Sequence, residues 1–236
     1  MASQTTEKLA ENLRRVHERI AAACARSGRS VDSVTLVAVT KYAELEWVRE
    51  LIELGITDLG ESRPKQLAAR AGQLPSHVRW HLIGHLQRNK IDLILPIVDR
   101  LHSADSTRLF QSLNDRGRSL GLRPRVLIEV NVAGEASKDG FTVDELLTAW
   151  PGIQQFDSLA VEGLMTMAPL SDNPESARPV FRALRDLRDR LRDSSAGRFP
   201  LPDLSMGMSG DFETGIEEGA TIIRIGSSLF DGLAAT

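Results

Sequence analysis

Cysteine is almost absent from the sequence. The single Cys24 among 236 residues excludes an internal disulfide and a cluster of thiolate metal ligands. No run reaches the roughly 18 uninterrupted apolar residues of a membrane-spanning helix. The N-terminal MASQTTEKLAENLRR lacks the basic region and apolar core of a secretory signal. We therefore expect a cytoplasmic protein in a reducing compartment, with no membrane partner.

Lysine and tyrosine are also rare, and the net charge is small. Chemistry that needs an amine or a phenol has few candidates, which are Lys8, Lys41, Lys65, Lys90, Lys138 and Tyr42. A formal net charge of −3 does not favour a nucleic-acid partner. Hydrophobic residues at 42% and charged residues at 26% are typical of an ordinary globular domain and exclude a mainly disordered chain.

Short apolar runs alternate with amphipathic segments along the chain. Apolar side chains spaced three and four residues apart predict a helix over 6–27. Eight strand-like runs follow, at 34–40, 56–60, 78–84, 98–103, 125–132, 158–166, 202–207 and 221–226. This alternation predicts an α/β fold, a single (β/α)8 TIM barrel over residues 1–236 with an extra N-terminal helix. A doubly wound open sheet is the alternative.

Functional residues of such a barrel lie at the C-terminal ends of its strands. The first strand-like run ends in Thr40-Lys41. An amine in the mouth of a barrel is partly desolvated, and desolvation favours the neutral form that attacks aldehydes. A rim lysine whose ammonium group reaches water explains the position equally well.

Two segments rich in glycine and serine follow the seventh and eighth strands. Ser209-Gly210 precedes a short helix, whose first N–H groups favour an anion. Gly226-Ser227-Ser228 allows the backbone to approach a ligand closely. These two loops are the usual phosphate site of the fold, and two ordinary turns are the alternative. No Walker-type P-loop or GxGxxG motif favours a nucleotide.

Arg224 lies among isoleucines on the last strand, where an arginine needs a partner. That partner is either a bound ligand or a barrel carboxylate such as Glu129. The histidines show no metal-ligand spacing, so no metal site is predicted. His81 is interpreted as a pocket wall or as a hydrogen-bonded core histidine.

Four segments resemble a known family. They are VTLVAVTKY around Lys41, WHLIGHLQRNK at 80–90, LSMGMSGDF at 204–212 and IIRIGSSLFDG at 222–232. Together they resemble the pyridoxal phosphate homeostasis protein family, which is similar to the N-terminal domain of alanine racemase. The resemblance spans nearly the whole chain. It implies a (β/α)8 barrel that carries pyridoxal 5′-phosphate (PLP) on a lysine at the end of the first strand.

The resemblance also implies the residues that contact the cofactor. Lys41 would hold PLP as a Schiff base, and Ser209, Gly226 and Ser227 would hold its phosphate. Around the ring, Arg224 would face the pyridine nitrogen, and His81 and Met206 would line the pocket. Ser62 follows Gly60-Glu61 where the family has asparagine, and it is the remaining predicted contact.

The function implied by the resemblance is binding, buffering and delivery of PLP, with effects on amino-acid and keto-acid metabolism. No catalytic residue is predicted. We expect a monomer whose only macromolecular partners are PLP-dependent apoenzymes in transient contact.

A weakly catalytic PLP-dependent amino-acid racemase is the alternative function, and a Schiff-base aldolase is a third. The related racemases add a C-terminal domain that supplies a tyrosine as second acid–base group. Because the chain stops at Thr236, soon after the last strand, we expect no such domain. Tyr42 directly follows Lys41, and we expect it to face away from the cofactor side of Lys41 because neighbouring residues at a strand end point to opposite sides.

Overall fold

Eight parallel strands close into a barrel in the order of the sequence. The computed structural model describes residues 4–135 and 138–233. The strands are β1 Thr35–Val39, β2 Asp58–Glu61, β3 Arg79–Leu82, β4 Val98–Ala104, β5 Arg125–Glu129, β6 Ala160–Met165, β7 Asp203–Ser205 and β8 Ile222–Ile225. β8 pairs with β1 through Thr35 and Ile222, which completes the closure. The predicted (β/α)8 barrel is confirmed, and the open sheet is excluded.

Helices surround the barrel. They are α1 Gln4–Arg26, α2 Leu45–Glu53, α3 Pro64–Ala71, α4 Ile91–Ile94, α5 Thr107–Leu120, α6 Val143–Ile153, α7 Arg178–Ser194 and α8 Phe212–Glu217. The N-terminal α1 packs between α8 and α2, so it occupies the place of a helix following β8. The buried Asn12 amide fastens it there by donating to the carbonyl oxygens of Leu229 (3.1 Å) and Asp231 (2.9 Å).

Local signals in the sequence account for several helix ends. Ser106 caps α5 by accepting a hydrogen bond from the N–H of Leu109, and Gly121 ends that helix in the left-handed conformation. Thr142 and Glu145 form a reciprocal capping box at the start of α6, as their spacing predicts. These caps satisfy the free N–H and C=O groups that every helix end leaves.

Some elements differ from the expected ones in form. The sequence predicts a helix over 87–95, where the structure has a 3-10 turn at Arg88–Lys90 followed by the single turn of α4. The sequence also predicts a long helix that starts at Asn173-Pro174, and the structure begins it as a 3-10 turn, Pro174–Ala177, before α7. Strand β5 ends at Glu129 because the chain then forms a loop that Asn131 closes by accepting from the N–H of Glu135.

Side chains alternate between two layers along each strand. Those facing outward form the large apolar core under the helices, which includes Cys24 of α1. The inward-facing apolar cluster is small and consists of Val37, Leu127, Met165 and Ile222. At the N-terminal end of the barrel, ion pairs fill much of the remaining interior. There Arg100 on β4 contacts Asp203 on β7 (2.7 Å) and Glu162 on β6 (3.0 Å).

Candidate functional site

Lys41 lies in the turn that follows β1, at the C-terminal mouth of the barrel. Its side chain is partly buried, and no hydrogen bond of its amine is formed to any residue that the structure describes. Helix α3 fixes the turn. The Gln66 amide donates to the Lys41 carbonyl oxygen (3.1 Å), and the Arg70 guanidinium donates to those of Thr40 (2.8 Å) and Ala43 (2.6 Å). The backbone is therefore held while the amine is left available.

Tyr42 contradicts the sequence-based expectation. Its ring centroid lies 5.1 Å from the Lys41 Nζ and 5.8 Å from the Arg63 Cζ, so the side chains of Lys41 and Tyr42 do not point to opposite sides. The strand ends at Val39, and residues 41–43 form a turn in which strand alternation no longer applies. Tyr42 is 74% exposed, and the two cations are attracted to the face of its ring.

The loops after β7 and β8 meet at the same end of the barrel. The backbone N–H groups of Gly226 (3.3 Å) and Ser228 (3.4 Å) converge on the Ser209 hydroxyl oxygen. Ser209 and Gly226 are partly buried, and Ser227 is exposed. Gly207 permits this path because its φ is +97° and a Cβ there would lie 2.8 Å from the Cα of Phe212. The result is a group of converging N–H and O–H donors.

Arg224 points into the barrel and is only 4% exposed. It donates through Nη1 to the Ser205 hydroxyl (2.6 Å) and through Nη2 to the carbonyl oxygen of Thr166 (2.9 Å). Burial lowers the pKa of its guanidinium to about 10, although Glu129 and Asp211 oppose the shift. Within the described ranges, no carboxylate accepts a hydrogen bond from it. The remaining guanidinium donors are left for a ligand.

His81 and Met206 lie in different layers of the barrel. His81 is 2% exposed and bonded on both sides, to Asp58 (3.0 Å) and His102 (2.9 Å). It is therefore a hydrogen-bonded histidine of the barrel interior. Met206 is fully buried in the outward-facing core. The structure does not bring Met206 to the inner face, where Arg224 lies.

Ser62 follows β2 and lies next to the loop after β3. Its N–H donates to Oε1 of the buried Glu61 (2.8 Å), which also accepts from the N–H of Arg63 (3.3 Å). A Cβ at Gly84 would lie 2.5 Å from the Ser62 carbonyl oxygen, so the two loops touch. Ser62 thus belongs to the rim on the β2–β3 side.

Glu129 at the end of β5 faces inward, in register with Leu127, and is 5% exposed. Its carboxyl forms no hydrogen bond within the described ranges. Burial raises its pKa to about 7, and the charges of Asp105 and Asp139 add to the shift. Arg224 and His85 act in the opposite direction. A carboxyl that exchanges its proton near neutral pH therefore faces the mouth.

Among residues 4–135 and 138–233, no group of three histidine, cysteine or acidic side chains is arranged to hold a metal ion. Over the same ranges, no helix is both long enough and apolar enough to cross a membrane.

Comparison with known proteins identifies the family. Residues 6–233 match the family described as alanine racemase, N-terminal domain. The chain is 41% identical over 221 residues to the pyridoxal phosphate homeostasis protein of Aquifex aeolicus, covering 93% of this chain and 96% of that one. It is 36% identical over 224 residues to the Pseudomonas aeruginosa protein of the same name, covering 94% of each. The chain belongs to the pyridoxal phosphate homeostasis protein family.

Solved structures support the same relationship. PipY of Synechococcus elongatus, solved with PLP bound, superposes with a TM-score of 0.80 at 32% identity, covering 91% of this chain and 99% of that one. Alanine racemase from Bartonella henselae superposes with a TM-score of 0.73 at 12% identity, covering 95% of this chain but 58% of that one. The second likeness shows a shared barrel fold.

The residues of this homeostasis-family chain fit PLP chemically. An amine suits its aldehyde, converging N–H and O–H donors suit its phosphate, and a guanidinium with uncommitted donors suits a ring nitrogen. All three groups are found at the C-terminal ends of β1, β7 and β8, where ligands of this fold bind.

Several residues around the site escaped the sequence-based analysis. Asp58, His102 and Ser205 line the barrel interior with His81, and Gln66 and Arg70 hold the Lys41 turn. The three residues of the first group could have been found from their positions in the strands. Each alternates along its strand with an apolar or small neighbour that faces the helices, which is typical of a position facing a barrel interior. The second group lies on a helix and carries no such signal.

Proposed function

We propose that the protein binds PLP at the mouth of the barrel and acts as a carrier that buffers and delivers the cofactor. The observation that carries the proposal is the placement of Lys41, Arg224 and the Ser209 loop at one end of a barrel that superposes on PLP-bound PipY. Bound PLP supplies a reactive aldehyde and an electron-withdrawing ring.

Lys41 binds the aldehyde covalently in this proposal, because its amine is free of hydrogen bonds within the described chain and its backbone is held by α3. Ser209, Ser227 and the N–H of Gly226 hold the phosphate. Arg224 donates to the pyridine nitrogen, while Ser62 contacts the ring from the β2 side. His81 lies in the barrel interior and Met206 in the outward-facing core, so neither contacts the cofactor in this proposal.

The test of binding and delivery uses the purified protein loaded with PLP. We expect a visible absorption band that borohydride abolishes and a mass increase on the chain after reduction. Loaded protein mixed with an apo-aminotransferase should restore transaminase activity as the band declines. A protein that shows no band, or that keeps its PLP while the apoenzyme remains inactive, would contradict the carrier function.

Phosphate binding gives a second expected result. The double substitution Ser209→Ala with Ser227→Ala removes two hydroxyl donors to a charged group, a loss of about 3 kcal/mol that raises the Kd of PLP about 100-fold. Absorbance titration measures the Kd. The control changes Ser112 and Ser119 on α5 to alanine. Equal affinity of the double variant and the wild type would place the phosphate elsewhere.

Negligible racemization is the third expected result. A two-base racemase needs groups on opposite faces of the substrate carbon, whereas Tyr42 contacts Lys41 itself and His81 is committed to Asp58 and His102. A cation at the ring nitrogen also disfavours ring protonation and weakens the ring as an electron sink. The measurement is D-alanine formation from L-alanine in deuterated water. Turnover near the enzyme median of ~10 s⁻¹ would establish the racemase instead.

We also propose a cytoplasmic monomer that meets PLP-dependent apoenzymes transiently. Support comes from the free, buried Cys24 and from the distribution of exposed large apolar side chains. In the part of the chain that the structure describes, these are spread over five segments, at Val31, Tyr42, Leu93, Leu120 with Leu122, and Leu170. Light scattering of the purified protein tests the monomer directly.

A further inference from the structure

A chain of hydrogen bonds crosses the interior of the barrel and ends at Arg224. Arg224 on β8 donates to the Ser205 hydroxyl on β7 (2.6 Å), and this oxygen lies 2.9 Å from Nδ1 of His102 on β4. His102 Nε2 lies 2.9 Å from Nδ1 of His81 on β3. His81 Nε2 lies 3.0 Å from Oδ1 of Asp58 on β2. Because β4 and β7 are not neighbours, the chain spans the barrel.

All five side chains are buried, and the polar side-chain atoms of Ser205, His102 and His81 have their hydrogen-bond partners within the chain. Arg224 is 4% exposed, His81 is 2%, Asp58 is 8%, and Ser205 and His102 are fully buried. Groups at this depth cannot exchange partners with water. Losing one link leaves its neighbour unpaired, which is costly in a buried site.

The chemistry of its two ends gives the chain one direction. A guanidinium only donates, so Ser205 accepts from Arg224 and has its own proton to place. Among the residues described, His102 Nδ1 is the other hydrogen-bond partner of that hydroxyl, so Ser205 donates to it. His102 must then donate through Nε2 to His81 Nδ1. His81 in turn donates through Nε2 to Asp58.

The charges of the two ends are consistent with this arrangement. Although burial acts against it, hydrogen bonds from His81 and Arg79 lower the pKa of Asp58 to about 2, so the acceptor end stays ionised. Burial is the main reason that the pKa of His102 lies well below its usual range, and the charges of His81, when that ring is protonated, of Arg224 and of Arg100 act in the same direction. His102 therefore stays neutral between an anion and a cation.

We propose that Asp58, His81, His102 and Ser205 are positioning residues that hold the Arg224 guanidinium in one orientation, so that it donates to an unprotonated pyridine nitrogen of PLP. The inference rests on the proposed function and extends it to residues that do not touch the cofactor. It is not a proton-conducting path, because Arg224 accepts no proton. It fixes which form of the ring the protein binds.

The first test needs no cofactor. Nitrogen-15 NMR of the histidine-labelled apoprotein reports the protonation of each ring nitrogen. At pH 7 we expect both His81 and His102 to be neutral and to carry their proton on Nε2. A doubly protonated His81, or a proton on Nδ1 of either ring, would reverse links in the chain and overturn the proposal. This measurement stands even if a substituted protein fails to fold.

The second test uses Ser205→Ala, which removes the link next to Arg224. We expect the Kd of PLP to rise about tenfold. The nitrogen-15 resonance of labelled PLP should report an unprotonated ring nitrogen in the wild type and shift in the variant. Ser103→Ala is the matched control, because Ser103 is also fully buried but donates to the Gly84 carbonyl oxygen (2.6 Å) outside the chain. It should leave both readouts unchanged.

The outcomes separate the two claims. A wild type that binds no PLP would overturn the proposed function. A wild type that binds PLP with a protonated ring nitrogen would overturn the positioning role alone. The same conclusion would follow if S205A matched the wild type in Kd and resonance.

Discussion

Replacing Lys41 with alanine should abolish the covalent adduct with PLP. No borohydride-stable mass increase is expected, because the remaining lysines of the described chain lie outside the turn after β1. The fold should change little in stability. The Lys41 amine makes no hydrogen bond within the described residues, and its contact with the Tyr42 ring contributes about 0.5–1 kcal/mol at an exposed site. Mass analysis after reduction and denaturant unfolding measure the two effects.

Lys65 on α3 supplies the matched control for this experiment. It is an exposed lysine close in sequence to the same end of the barrel, and Lys65→Ala should retain the adduct in full. Peptide mapping of the reduced wild type should place the label on Lys41. A label on Lys65 or Lys90 would show that the first-strand lysine is not the attachment point.

The fold was predictable because the local pattern of apolar residues indicates most of the strands and helices. The β-branched run before Lys41 and the run before Asn131 are buried by the barrel as their composition indicates. Eight alternations leave few topologies that bury both faces of every strand. The role of α1 in closing the ring of helices was not predictable from local pattern, because it depends on a long-range contact of Asn12 with the segment after β8.

The candidate site was predictable only in part. Strand ends pointed to Lys41, Ser209 and Arg224, because the fold restricts ligands to that edge. The contacts of Tyr42 were mispredicted because alternation stops where the strand stops. Whether Arg224 meets Ser205 or Glu129 depends on which inward-facing side chains share a level of the barrel, and that is set by strand stagger rather than by spacing along one strand.

The polar interior explains why stability and ligand chemistry are linked in this barrel. Among the described residues, the inward apolar cluster has four fully buried members, and charged and hydrogen-bonded groups occupy much of the remaining interior. Such groups specify a unique arrangement but contribute little net stability compared with apolar packing. Glu129 belongs to this interior, and its buried carboxyl has no hydrogen-bond partner among the described residues.

Glu129→Gln should stabilise the protein at alkaline pH. The pKa of Glu129 is raised from 4.5 to about 7 in the folded state, so the folded protein holds this proton more tightly than the unfolded chain. Its contribution to the free energy of unfolding is complete below pH 4.5 and is lost as the pH rises through 7. The loss is about 3 kcal/mol. At pH 8 the glutamine variant should be more stable by about that amount, with little difference at pH 4.5.

The measurement is denaturant unfolding of both proteins between pH 4.5 and 8, compared as a difference at each pH. A difference is needed because His102, whose pKa is lowered by burial, acts in the opposite direction, destabilising the fold as the pH falls below its usual value of 6.5. That effect is common to both proteins and cancels. Glu53→Gln, at an exposed residue of α2, should show no such pH-dependent difference. If the difference between Glu129→Gln and the wild type stayed constant with pH, the carboxyl would be ionised throughout and hydrated in the mouth rather than buried.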